Sequence, residues 1–429
     1  MKIISARSDH RLQKKKEWRG MERMKVAFLT NGTSPVPATK GGAVENLIED
    51  LLDENEKKHS FDFSVFSLHE ERAVEKSREY LNSNFFFVKC PGIINCLDKG
   101  IYWISKNVLK KSNLISYRYI LRRLYVMSKF PKILLKNDFD RVVLVTNSTL
   151  FFVLKNKKVA EKYKGKVIYY LHNEVRSLFK CEKEASSIRS LIGISEFVNS
   201  SFRKQVPVLK DEQCFVLKNG VDTEKFTTQY ERKIQEYRVK FGITEDDFVV
   251  IFAGRLVDEK GALETIKAIK ACKDKNIKLL IVGSGFYDSD IVDDYTLELQ
   301  SESDGIKDRI VFTGYIDYDD MPSIYQLGNV AVLPSIWDEP AGMTMVEAVV
   351  SGLPLITTNS GGIPEYIPNE LAYILERDDS LVDNISSCIL QIKKQTSNTT
   401  LNMKKRNKFI DDVGLKKYFS GFENILNKG

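Results

Sequence analysis

The chain has 429 residues, of which 43% are apolar, 10% aromatic and 29% charged, and its formal net charge is +7. A chain of that length outgrows a single hydrophobic core, so two domains are expected, and the composition excludes a disordered or fibrous protein. Six cysteines (Cys90, Cys96, Cys181, Cys214, Cys272, Cys388) lie scattered with no C-x-x-C pair, and four histidines are too few to build a metal cluster with them. Reduced thiols in a cytosolic protein are the reading.

Residues 1–20 are basic but lack the apolar centre of a secretory signal. They are expected to be a disordered leader or, since Met21 and Met24 both precede the first strand, an over-long start. No run of about 18 apolar residues exists that could span a membrane.

KVAFLT (25–30) is a β-rich run, followed by the turn-rich loop NGTSPVPATKGG and by AVENLIEDLLDENEKK, where Val44, Leu47, Ile48, Leu51 and Leu52 fall at helical spacing. This is half of a βαβ unit. FSVFS (63–67), RVVLVT (141–146), KVIYYLH (166–172) and LIGIS (191–195) supply further strands. Between them, from Lys99 to Asn137, stand ten Lys or Arg and no Asp or Glu, interleaved with Tyr102, Trp103, Tyr117, Tyr119, Tyr125 and Phe130. The pattern restarts with FVVIFAG (248–254), a helical ALETIKAIKAC, and then KLLIVGSG (278–285), RIVFTGY (309–315), VAVLPS (330–335) and LPLITT (353–358). The expected organisation is a leader over 1–20, Rossmann-like domains over 21–225 and 226–410, and a C-terminal helix over 411–429 that could return to the first domain. Both sheets should be parallel and should face a cleft.

Ligands of open parallel sheets sit beyond the carboxyl ends of the strands, where helix N-termini present free N–H groups. Gly41 and Gly42, just before the first helix, either allow backbone amides to approach a phosphate or form a flexible turn. Arg255 and Lys260 in GRLVDEKG can reach one anion together, the fork of Arg complementing the movable charge of Lys. A solvated loop would tolerate both. His172 ends a strand in YYLHNE and is either a hydrogen-bonded structural residue or a contact for substrate. In EPAGMTMVE (339–347), Thr344 and Glu347 fit a capping box, and the helix start would offer the amides of Gly342, Met343 and Thr344 to an anion. Capping leaves Glu339 unexplained. Asp293-Asp294 and Asp319-Asp320 are expected to be solvated rather than metal-binding.

GGAVENL, YYLHNE, VLKNGVDTEKF, FAGRLVDEKG, LIVGSG, VFTGYI and PSIWDEPAGMTMVEAVVSGLPLITTNSGGIPE stand in the order of the retaining family 4 glycosyltransferases of the GT-B fold, which the chain resembles from about Lys25 onward. The E-x7-E element from Glu339 to Glu347 is the most specific part. The resemblance implies that Arg255 and Lys260 grip the donor diphosphate, aided by amides at Gly41 and Gly42 and at Gly342, Met343 and Thr344. It implies that Glu347 holds the ribose, that Glu339 contacts the donor sugar near its reacting carbon, and that His172 touches the sugar from the first domain.

The implied reaction moves a hexose, with retention and no metal or other cofactor, from a nucleoside diphosphate sugar, with UDP the expected carrier. The acceptor would be a lipid-linked oligosaccharide in cell-surface polysaccharide synthesis. The basic aromatic segment, represented by Arg122, Arg123 and Lys132, would rest on an anionic membrane surface on the cytoplasmic side, with no nucleic acid involved. The alternatives are a non-catalytic glycan-binding or spore-surface assembly protein of the same fold, a GDP-sugar-dependent transferase, and a sugar phosphorylase or epimerase.

Overall fold

The structure, a computed structural model, describes residues 4–5, 23–39, 42–107, 119–284, 294–395 and 403–428. Gly41, Tyr117 and Asp293 lie outside the described residues, as does most of the leader. The chain divides into two units, residues 1–217 with 418–429, and residues 218–417.

The first unit holds an eight-stranded sheet. Its strands are β1 (Ile4–Ser5), β2 (Met24–Leu29), β3 (Phe61–Leu68), β4 (Ser83–Val88), β5 (Arg141–Val145), β6 (Val167–Leu171), β7 (Ser190–Gly193) and β8 (Cys214–Val216), in the order β1-β4-β3-β2-β5-β6-β7-β8. All neighbours are parallel except β1, which runs antiparallel along β4 with Ile4 opposite Phe87. A short strand thus stands inside the leader expected to be disordered. The central strands are near-continuous apolar runs because both faces are covered, and Val26 to Leu29 and Val142 to Val145 are buried throughout. From β2 the chain builds outward to β4, then returns to the other side of β2 with β5.

The second unit repeats this order with β9 (Phe248–Ala253), β10 (Ile277–Val282), β11 (Ile310–Gly314), β12 (Val330–Leu333), β13 (Leu355–Thr358) and β14 (Ala372–Leu375), arranged β11-β10-β9-β12-β13-β14 and wholly parallel. Numbered from β9 this is the doubly wound order 3-2-1-4-5-6, whose direction of winding reverses between β9 and β12. The strands β1, β4, β8 and β14 were not anticipated, being short or flanked by polar residues that hide their pattern.

The helices that matter to the site are α1 (Ala43–Lys58), α2 (Gly92–Asn107), α3 (Ile120–Lys136), α4 (Ala262–Ala271), α5 (Met343–Val350), α6 (Met403–Val413) and α7 (Leu415–Asn427). From Tyr418 onward α7 belongs to the first unit. There Phe422 stacks on Phe28 with ring centroids 5.7 Å apart, and the Tyr418 and Tyr170 hydroxyls lie 2.7 Å apart. The expected boundary after residue 225 shifts to 217. Residues 218–225 are tied into the second unit, where the Asn219 N–H donates to the Tyr366 hydroxyl (2.9 Å) and Val221 bridges to Gly414.

In the basic segment, the carboxylate of Asp98, buried in α2, accepts the N–H groups of Leu121 (2.8 Å) and Arg122 (2.9 Å), and so caps α3. The Arg122 guanidinium turns inward, donating to the Thr33 carbonyl (2.6 Å) and lying 3.6 Å over the Tyr119 ring. Arg123 is half-buried near Asp98, and burial lowers its affinity for its proton. Of the three cations expected on a membrane-facing surface, only Lys132 is exposed: the Arg122 guanidinium is taken by the Thr33 carbonyl and the Tyr119 ring, and Arg123 is half-buried. No helix among the described residues is long and apolar enough to cross a membrane.

Candidate functional site

In the second unit, the reversal of strand order sets the ends of β9 and β12 side by side, and each is followed by a functional loop. The loop after β9 carries Arg255 and Lys260; the loop after β12 carries Glu339. The Lys260 ammonium lies 2.9 and 2.7 Å from the two Glu339 carboxylate oxygens. The indole N–H of Trp337 (2.8 Å) and the Ser335 hydroxyl (3.1 Å) donate to the same carboxylate. The side chains are 20% exposed at Lys260 and 12% at Glu339, so the pair is mostly out of water. Arg255 is half-buried and has no side-chain partner among the described residues.

Two glycines enforce this approach. Gly261 takes φ +77°, and a Cβ there would meet the Pro334 carbonyl oxygen at 2.1 Å. Gly361, at φ +54°, would put a Cβ 2.4 Å from the Glu339 carbonyl oxygen. The Glu339 loop is pinned further by the Gly362 N–H on the Glu339 carbonyl (2.7 Å), by the Ser360 hydroxyl on the Trp337 carbonyl (2.9 Å), and by Arg377 on Asp338 (2.7 Å).

The capping box is overturned. Helix α5 begins at Met343 behind Gly342 in the left-handed region (φ 77°), with no side-chain cap, so Thr344 is its second residue and Glu347 its fifth. Glu347 turns inward instead, 6% exposed, and accepts hydrogen bonds from Tyr318 (3.1 Å) and Tyr325 (3.2 Å). Burial pushes its carboxyl up to about 7, against the two hydroxyls, which favour the charged form. The first-turn N–H groups of Met343 and Thr344 have no intrahelical acceptor and carry the positive end of the helix dipole. At the other end of α5, Arg406 of α6 donates to the carbonyls of Val349 (3.3 Å) and Val350 (2.5 Å). Of the aspartates expected to be solvated, Asp320 is bound by Lys233 and by the Tyr237 hydroxyl (2.7 Å). Among the described residues, no three His, Cys, Asp or Glu cluster as a metal would need.

In the first unit, the reversal lies between β2 and β5. Thr146 directly follows β5 in a left-handed conformation (φ 64°), and its hydroxyl is 2.8 Å from Nδ1 of His172, which follows β6. His172 is 4% exposed, its ring centroid is 4.1 Å from that of Tyr170, and its Nε2 has no hydrogen-bond partner among the described residues. Burial pulls its pKa down to about 3, so the imidazole is neutral and serves as a hydrogen-bonding group rather than a charge. Gly42 caps α1 at φ 138°, and a Cβ there would meet the Glu45 carboxylate at 2.3 Å, so that side chain covers the helix start. Upstream, the loop is tied by Glu49 to the Ala38 N–H (2.8 Å) and by Thr39 to Glu70 (2.9 Å).

Sequence reasoning missed Trp337, Ser335, Tyr318, Tyr325 and Thr146. Thr146 was findable, since it follows an apolar strand directly; the two tyrosines were not, because their partner lies more than twenty residues away.

Residues 233–409 match the family model of glycosyl transferases group 1. YtcC of Bacillus subtilis (strain 168), a glycosyltransferase by name, is 27% identical over 359 residues, which cover 81% of this chain and 78% of that one. The Escherichia coli UDP-Gal:alpha-D-GlcNAc-diphosphoundecaprenol alpha-1,3-galactosyltransferase is 27% identical over 207 residues, 47% of this chain and 51% of its own. The crystal structure of Anabaena Alr3699/HepE in complex with UDP-glucose superposes with a TM-score of 0.69 at 17% identity, covering 94% of this chain and 99% of that one.

Proposed function

We propose that this chain, whose fold is GT-B, is a retaining glycosyltransferase that moves a hexose from a nucleoside diphosphate sugar to a lipid-linked glycan of the cell surface. The observation that carries the proposal is the convergence of Lys260 and Glu339 at the β9/β12 reversal, with Arg255 on the same loop and the open amides of α5 on the other. This supplies the two things such a transfer needs: cationic and amide groups for a leaving diphosphate, and a fixed carboxylate for sugar hydroxyls.

In this reading Arg255, Lys260 and the amides of Gly342, Met343 and Thr344 hold the diphosphate. Glu347 accepts from the ribose hydroxyls. In the first unit, His172, neutral and steadied by Thr146, offers Nε2 as a hydrogen-bonding group. The bond from the anomeric carbon to the diphosphate oxygen breaks, and the acceptor hydroxyl attacks from the same face. Its proton passes to the departing phosphate oxygen. No resident metal takes part. The complex of the Anabaena protein with UDP-glucose favours UDP as the carrier, and the E. coli relative's name favours a polyprenyl diphosphate acceptor.

Incubation with UDP-, GDP- and ADP-hexoses and a sugar-diphosphopolyprenol, with EDTA present, should release one nucleoside diphosphate and yield a product of unchanged anomeric configuration. A product of inverted configuration by NMR overturns retention, and dependence on added metal overturns the metal-free step.

A second observation favours peripheral attachment to the cytoplasmic membrane face. Ile93, Leu97, Trp103 and Ile104 are exposed along α2, which leads into the Lys- and Arg-rich stretch that begins at Lys99. Ile93, Leu97 and Ile104 share a helix face at that spacing, and the Lys and Arg residues that follow suit anionic headgroups.

A further inference from the structure

The donor reading gives Lys260 and Glu339 separate tasks, yet here they neutralise each other through two contacts. Resting on the donor reading above, we propose that Glu339 is a placeholder for the leaving diphosphate: it holds Lys260 until donor binds and then yields it to the phosphates. We further assign Trp337 as the positioning residue that keeps Glu339 in place once the lysine has left.

The geometry supports both halves. An ammonium on a flexible four-carbon stem can exchange one oxyanion for another, whereas the Glu339 backbone is fixed by Gly362 and by the close approach of Gly361. With Lys260 gone, the indole N–H of Trp337 and the hydroxyl of Ser335 still bond Oε2. Oε1, which accepts from Lys260, is then the oxygen released to accept from a sugar hydroxyl. Arg255, unengaged among the described residues, is the standing anion contact that captures the diphosphate first.

The signs of the effects test this. The probes are UDP, GDP, ADP and inorganic pyrophosphate, titrated calorimetrically into the full-length protein. In the Glu339→Gln variant, the nucleoside diphosphate that binds wild type should bind about threefold tighter or better, because a partly exposed ion pair of this kind no longer competes. The same variant should bind the intact sugar nucleotide more weakly and lose transfer. Lys260→Ala should weaken diphosphate binding about tenfold. In the Lys260→Ala background, Glu339→Gln should then change diphosphate affinity by less than about twofold, since the cycle isolates the pair.

Unchanged or weaker diphosphate binding by Glu339→Gln overturns the placeholder. Failure of wild type to bind any nucleoside diphosphate overturns the donor reading itself. For Trp337, the Phe variant should bind the diphosphate as wild type does, with kcat down about tenfold and KM within about twofold, and Trp337→His should recover part of the loss by restoring a ring N–H. Equal losses in diphosphate affinity and kcat in the Phe variant overturn the positioning role.

Discussion

Two buried titratable side chains pull the acid response of the protein in opposite directions. Glu347 has a folded pKa near 7 against about 4.5 unfolded, so the fold prefers its neutral form. Its stability contribution is present below pH 4.5 and is lost as pH rises through 7. His172 has a folded value near 3 against about 6.5, so below pH 6.5 the unfolded chain takes a proton that the fold refuses. Stability is then lost as pH falls from 6.5 toward 3. At pH 5 the His172 deficit is about 2 kcal/mol, since each unit of separation is worth about 1.4 kcal/mol. Chemical denaturation between pH 5 and 8 should therefore show His172→Gln more resistant to acid than wild type, and Glu347→Gln more stable than wild type at pH 8. The reverse order in either variant would contradict the burial of that side chain. Glu339 was legible as a functional residue because no local geometry explained it. Trp337 was not, because its task depends on where its indole nitrogen points.

At the scale of elements, α7 shows how an amphipathic pattern reveals a helix but not its partner. Phe419 and Phe422 are fully buried, and both pack on phenylalanines of β2 and β3 at the opposite end of the sequence. Replacing Phe422 by Ala should cost about 3 to 5 kcal/mol of first-unit stability by calorimetry or denaturant titration, because a stacked ring leaves a cavity that surrounding strands cannot close. A loss below about 1 kcal/mol would mean that α7 is not part of that core. The start of α5 taught the opposite lesson. T-x-x-E satisfies a capping box on paper, but a left-handed Gly342 supplies the turn, and the buried tyrosine hydroxyls claim Glu347. Strands that read as apolar runs were legible, with ends displaced by up to three residues. β4, β8 and β14 escaped because their apolar runs are short or flanked by polar residues, as in SNFFFV and CFV.

At the scale of the molecule, the exposed apolar face of α2 and the basic charge that follows it call for a test on the intact protein. Sedimentation with vesicles containing phosphatidylglycerol should fall sharply when Ile93, Leu97 and Ile104 are all changed to Ser, with nucleotide affinity unchanged. It should also weaken as salt screens the basic segment. Equal sedimentation of the variant and wild type would remove α2 as the attachment surface. The amino-acid order alone determined that there are two α/β halves, that each begins with a strand, loop and helix, and that the informative residues follow strands. Those properties rest on spacing along the chain, which hydrophobic periodicity and turn chemistry record locally. Only the tertiary structure decided that β12 lies beside β9, which brings a lysine at 260 against a carboxylate at 339. It alone decided that Arg122 of α3 turns inward and that the last helix completes the first core. Such pairings join positions far apart in the chain, and the free energy that selects them lies in packing and burial that no local pattern encodes.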